Sequence, residues 1–160
     1  MQPAPVQDEH RWLERLIGEW SYETTCSMGP DQPDVVTKGR ETVRALGPYW
    51  IVSEGEGEMP DGGSFRMLIQ IGFDPALGRF RGTWVGSVMP ILWVYDGRLD
   101  ASSTVLTLAA RGPSFAGDGM ADYEDIIKLP ASGERRFRSR VKMPDGTWNE
   151  FMRAEYQRVG

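Results

Sequence analysis

The chain has 160 residues, 40% hydrophobic and 26% charged, with a net charge of −5. That is the composition of one globular domain with a core of its own; no apolar run reaches the ~18 residues of a membrane-spanning helix, and an acidic protein repels nucleic-acid phosphates. The lone Cys26 cannot form an internal disulfide, so a cytoplasmic location is expected.

The first residues, "MQPAPVQDEH", lack the basic and apolar regions of a secretory signal. Pro3 and Pro5 predict a flexible N-terminus over residues 1–7, followed by a single domain over 8–160. Asp8 is a candidate N-cap, and Trp12, Leu13, Leu16 and Ile17 form one apolar stripe, which predicts a helix over 8–17. Gly18 then serves as the C′ residue.

From Glu19 onward the apolar residues alternate as on strands. Turn signals fall at "GPDQPD" (29–34), "GP" (47–48), "PDGG" (60–63), "DPALG" (74–78), "DG" (96–97), "DASS" (100–103), "GPSFAGDG" (112–119), "PASG" (130–133) and "PDG" (144–146). They delimit about ten strands with no second helix to carry a parallel crossover, which predicts an antiparallel meander. Closing it removes both sheet edges. The expected fold is all-β: a single closed up-and-down barrel, one end capped by the short helix, with interior room.

Strand parity then sorts the side chains. In "WIVSEGEGEM", Glu54, Glu56 and Glu58 share a face with Trp50 and Val52, while Ile51, Ser53, Gly55 and Gly57 share the other. Three like charges inside would be costly, so the glycine face is expected to point inward; the opposite choice would put Glu54 in the cavity as an acid–base group. In "RRFRSRVK", Arg136, Arg138, Arg140 and Lys142 form an outward basic row opposite Phe137, Ser139, Val141 and Met143. Gly55, Gly57, Gly82 and Gly86 are the expected β-bulges. Any single aromatic reads as core, but the set reads as a cavity lining, with Trp20 also suited to a place under the helix. The wall candidates are Trp20, Tyr22, Phe73, Trp84, Trp93 and Tyr123, with Arg40 and Glu54 as polar anchors.

Gly18-Glu19-Trp20 after a short helix resembles the opening of lipocalin-type (calycin) barrels. "HRWLERLIGEWSYE", "GRETVRALGPYWIVSEGEGEMPDGG", "IGFDPALGRFRGTWVGS", "LWVYDGRLD" and "GPSFAGDG" together resemble the bacterial domain of unknown function 1579, over roughly residues 8–157. That resemblance implies a calycin-like barrel and assigns no chemistry. The nitrobindin-like haem proteins, a neighbouring calycin group, are similar in their ten strands and their start, and hold haem through a late histidine. Here the one histidine is His10, expected to be solvated, and Met143, Met152 and Cys26 are poor replacements, so haem is disfavoured.

No metal, P-loop or EF-hand pattern is present, and Cys26 has no evident base. The leading reading is a protein that binds a small hydrophobic or amphipathic ligand in the barrel. An alternative is an enzyme acting on a small carbonyl or hydroxyl compound through Glu54 or Glu41. A third is a homodimer, motivated by the opposed charged faces and the apolar "SVMPILWVY".

Overall fold

A computed structural model describes residues 1–115 and 117–159. Ala116, inside the predicted "GPSFAGDG" turn, and Gly160, the last residue of the predicted domain, lie outside the described residues.

The helix α1 spans Asp8–Glu14 and is followed by β1 Gly18–Cys26, β2 Val35–Leu46, β3 Trp50–Glu58, β4 Ser64–Asp74 and β5 Arg79–Gly86. The chain continues through β6 Met89–Leu99, β7 Val105–Pro113, β8 Met120–Lys128, β9 Arg135–Lys142 and β10 Trp148–Arg158. Each strand pairs antiparallel with the next, and β10 returns to β1, so the ten strands form one closed barrel, as the turn spacing predicts. Arg158 clasps this seam by donating from Nη1 to the Ile17 carbonyl at 2.8 Å and from Nη2 to the Arg15 carbonyl at 2.7 Å. Its guanidinium also lies 4.3 Å from the Trp20 ring centroid.

The helix is shorter than predicted and its N-cap is Gln7, not Asp8. After Glu14 the turn tightens: Arg15, Leu16 and Ile17 donate to the carbonyls three residues back at 3.0–3.2 Å. Gly18 then adopts φ +140°, a conformation side chains rarely take, and starts β1. Trp12, Leu13 and Leu16 are buried against Trp20, Ile51, Ile71, Phe80, Leu106 and Leu129 and seal one end. His10 is buried as well, correcting the solvated expectation. Its Nδ1 accepts from the Gln7 N–H, and its Nε2 lies 2.9 Å from the Phe73 carbonyl, the tautomer that donates there.

Two ladder irregularities matter for the interior. One falls between Trp84 and Gly86, near a predicted bulge; Gly55, Gly57 and Gly82 sit in unbroken register, so no bulge occurs there. The other, between Glu150 and Met152, inserts Phe151 as an extra residue in β10 and brings both Phe151 and Met152 to the interior.

Candidate functional site

The end opposite α1 is open and leads into a cavity of about 350 Å³. Cys26, Glu58, Met59, Phe65, Val88 and Met89 surround its mouth, and Tyr22, Met67, Ile69, Trp84 and Phe137 line its walls. A side lobe of about 220 Å³ adjoins it, lined by Trp84, Trp93, Tyr95, Tyr123, Phe137 and Phe151 and almost wholly apolar. A larger hollow, about 590 Å³, lies on the outer faces of β1 and β8–β10. Its walls carry solvated charges of both signs, among them Glu23, Arg136, Arg138, Glu150 and Arg153, so the candidate site is the interior.

The interior room depends on small residues placed opposite large ones. Tyr22 crosses Gly39 and Gly57, where an added Cβ would fall 2.2 and 2.5 Å from its hydroxyl oxygen. Trp93 lies on Gly112, where a Cβ would fall 2.2 Å from the indole. At this place the β6–β7 ladder pairs only Asp96–Leu99 with Leu106–Ala109, so Trp93 covers the stretch nearer the mouth. Trp93, Tyr123 and Phe115 pack ring against ring, and the Tyr123 hydroxyl donates to the Pro113 carbonyl at 2.7 Å.

Two polar clusters interrupt this apolar surface, the first buried and the second centred on the half-buried Asp125. At the floor, Arg135 Nη2 lies 2.6 Å from Glu41 Oε2, and the two side chains are 6% and 2% exposed. Ser53 donates to Glu41 Oε1 at 2.6 Å. The other Arg135 nitrogens, Nε and Nη1, have no hydrogen-bond partner among the described residues. The guanidinium is instead held by ring faces, 3.9 Å from the Tyr156 centroid and 4.9 Å from that of Trp20. Nearer the mouth, Asp125 accepts from the Tyr95 hydroxyl on one oxygen and from the Ser139 hydroxyl on the other.

Burial governs the proton affinities of these groups. It raises Asp125 above the usual carboxylate range, against the opposing pull of the Ser139 and Tyr95 hydrogen bonds. Burial, then the charges of Glu41 and Glu56, pushes Tyr22 up to about 12. Tyr156 is raised by burial and by Glu41, with Arg135 opposing, and Tyr95 by burial and by Asp125. These phenols are neutral hydrogen-bonding groups over the physiological range.

Of the residues singled out in the sequence, Tyr22, Trp84, Trp93 and Tyr123 line the interior. Trp20 and Phe73 belong instead to the sealed end: Trp20 donates from Nε1 to the Leu16 carbonyl at 2.8 Å, and Phe73 packs on His10 and Phe80. Arg40 and Glu54 are not interior anchors. Both are exposed, because β2 parity turns Glu41 inward and β3 parity turns Ser53 and Gly55 inward. Glu41 does face the cavity, but paired with Arg135. Arg135, Asp125 and Tyr156 were missed by the sequence reading, whereas Ser139 falls on the face of "RRFRSRVK" that was expected to point inward. The parity of "RRFRSRVK" already places Arg135 on the face of Phe137 and Ser139, which was the available signal. Arg136, Arg138 and Arg140 lie outside in ion pairs with Glu134, Glu150 and Glu124. Among the described residues no group of three or more His, Cys, Asp or Glu side chains is placed to hold a metal ion.

The sequence model of the family described as "Protein of unknown function (DUF1579)" matches residues 5–158. No curated protein matches the chain. Among solved structures, the crystal structure of Rv2717c from M. tuberculosis is similar at a TM-score of 0.66 and 12% identity, covering 98% of this chain and 100% of that one. A redesigned β-barrel, b11L5F_LGL, is similar at a TM-score of 0.49 and 13% identity, covering 94% and 96%. At such identities the likeness to Rv2717c is one of fold alone.

Proposed function

The chain belongs to the family of unknown function DUF1579, and from its interior we propose that it is a lipocalin-like binding protein that takes a small hydrophobic or amphipathic ligand into the barrel. The observation that carries this reading is the open volume of about 350 Å³ between an apolar mouth and a polar floor. A pocket of that size and lining, with few polar groups held in fixed geometry, suits a small organic molecule. A carrier is favoured over an enzyme working through Glu41, because one oxygen of that carboxylate faces Arg135 and the other accepts from Ser53. The reading carries no haem, since both ring nitrogens of His10 are engaged at the sealed end. A cytoplasmic location fits the single thiol.

Native mass spectrometry of the protein purified from its own host, set against the denatured mass, tests the proposal. A reproducible added mass that vanishes on denaturation supports it and weighs the ligand; a clean apo mass argues against a tightly held one. A homodimer is the second reading, favoured by the exposed apolar row Leu68, Val85, Leu92 and Val94 on the outer face of β4–β6. Sedimentation at micromolar concentration tests it, and a monomer there removes it.

A further inference from the structure

The two polar clusters differ in charge balance. Glu41 faces the cation of Arg135, so the floor is neutral as a pair. Asp125 has hydroxyl partners only; among the described residues it forms no ion pair with any lysine, arginine or histidine. A half-buried carboxylate without a counter-ion loses part of its hydration uncompensated, and that cost falls when a cation is brought to it. The surfaces around Asp125 are also of one kind. Trp84, Trp93, Tyr95, Tyr123, Phe137 and Phe151 line the same lobe, and aromatic faces attract organic cations while repelling anions. The lobe reaches the main cavity, since Asp125, Trp84 and Phe137 line both. A carboxylate in the wall of an aromatic enclosure complements a positively charged nitrogen carrying apolar substituents.

We propose that the ligand is a small organic cation, a protonated or quaternary amine with an apolar body, whose nitrogen sits on Asp125 within the aromatic lobe. The inference rests on the reading of the interior as a binding cavity and adds the sign of the ligand's charge. Tyr95 and Ser139 act as positioning residues: by donating to the two carboxylate oxygens they fix the plane of Asp125, which lines the lobe. Arg135 lies deeper, against the faces of Tyr156 and Trp20, with its charge shared by Glu41.

The test compares three probes of similar size and different charge: 2-phenylethylamine as its cation, neutral 2-phenylethanol and anionic phenylacetate. Each is titrated into isotopically labelled protein while the indole N–H resonances of Trp84 and Trp93 are followed. The expected result is that the amine moves both resonances and binds about tenfold or more tightly than the alcohol, with phenylacetate weakest. Asp125→Asn should abolish the advantage of the amine and leave alcohol binding in place. If the alcohol matches the amine, or phenylacetate binds best, the cation assignment is overturned while the cavity reading stands. If none of the three perturbs Trp84 and Trp93, both are overturned.

Discussion

Replacing Arg135 by methionine should be among the most destabilising single changes in this barrel. At the observed 2.6 Å the attraction to Glu41 is about 6 kcal/mol for an effective dielectric of about 20, set against the cost of desolvating both ions. Arg135→Met removes the cation but leaves Glu41 in place, 2% exposed, with only the Ser53 hydroxyl for company. Half-broken buried pairs of this kind lose about 3–5 kcal/mol. In a domain of this size that corresponds to a fall in Tm of about 6–20 °C. Glu41→Gln alone should cost less, because the guanidinium keeps the faces of Tyr156 and Trp20. The double variant Glu41→Gln/Arg135→Met should recover most of the loss, since the floor then no longer holds an unpaired charge. Urea unfolding followed by tryptophan fluorescence closes this double-mutant cycle. A loss below about 1 kcal/mol in Arg135→Met, or no rescue by Glu41→Gln, would refute the assignment of a charge-balanced floor.

Gly39→Ala would place a Cβ 2.2 Å from the Tyr22 ring and 2.7 Å from the Glu56 carbonyl oxygen, so about 1–3 kcal/mol should be lost in thermal unfolding; an unchanged Tm would contradict the seat. Alkali should destabilise the protein. Tyr22 keeps its proton up to about 12 when folded, whereas an unfolded tyrosine releases it near 10, so stability is lost as pH rises through that window; tyrosinate absorbance and unfolding midpoints should show it together. Asp125 follows the same sign at lower pH. Its folded form holds the proton above the ordinary 3.8, so stability present in acid is lost as pH rises, and Asp125→Asn should flatten that slope in urea midpoints measured across the range.

The architecture was legible because its signals are local and repeated. Turn residues recur along the chain, and closure into a barrel follows from the need to hide sheet edges. Parity served equally well within an unbroken strand, placing Ile51, Ser53 and Gly55 inside and Glu54 and Glu56 outside. It gives no warning where the ladder breaks: the extra Phe151 in β10 carries no turn residue or glycine to announce it. The polar floor was hidden for a different reason. Glu41 and Arg135 lie on strands that are not neighbours in the barrel, so their meeting across the interior is a property of the closed ring. Charge cost argued, correctly, that three glutamates would not sit inside; applied to single residues, it left the direction of Glu41 open and concealed the arginine that goes inside with it.

The seam between β1 and β10 also sets the order in which the chain must find its shape. Nine of the ten pairings join strands adjacent in sequence and can zip as hairpins, each with a short loop to close. The tenth joins Trp20 to Arg158, and its loop-closure entropy is about 4 kcal/mol before any contact repays it. Ring closure is therefore the late, slow step of folding, and the first to reverse. The seam strands should accordingly exchange their amide hydrogens at lower opening energy than β3–β5, with Arg158 as the latch whose removal quickens unfolding and leaves the rate of hairpin formation untouched.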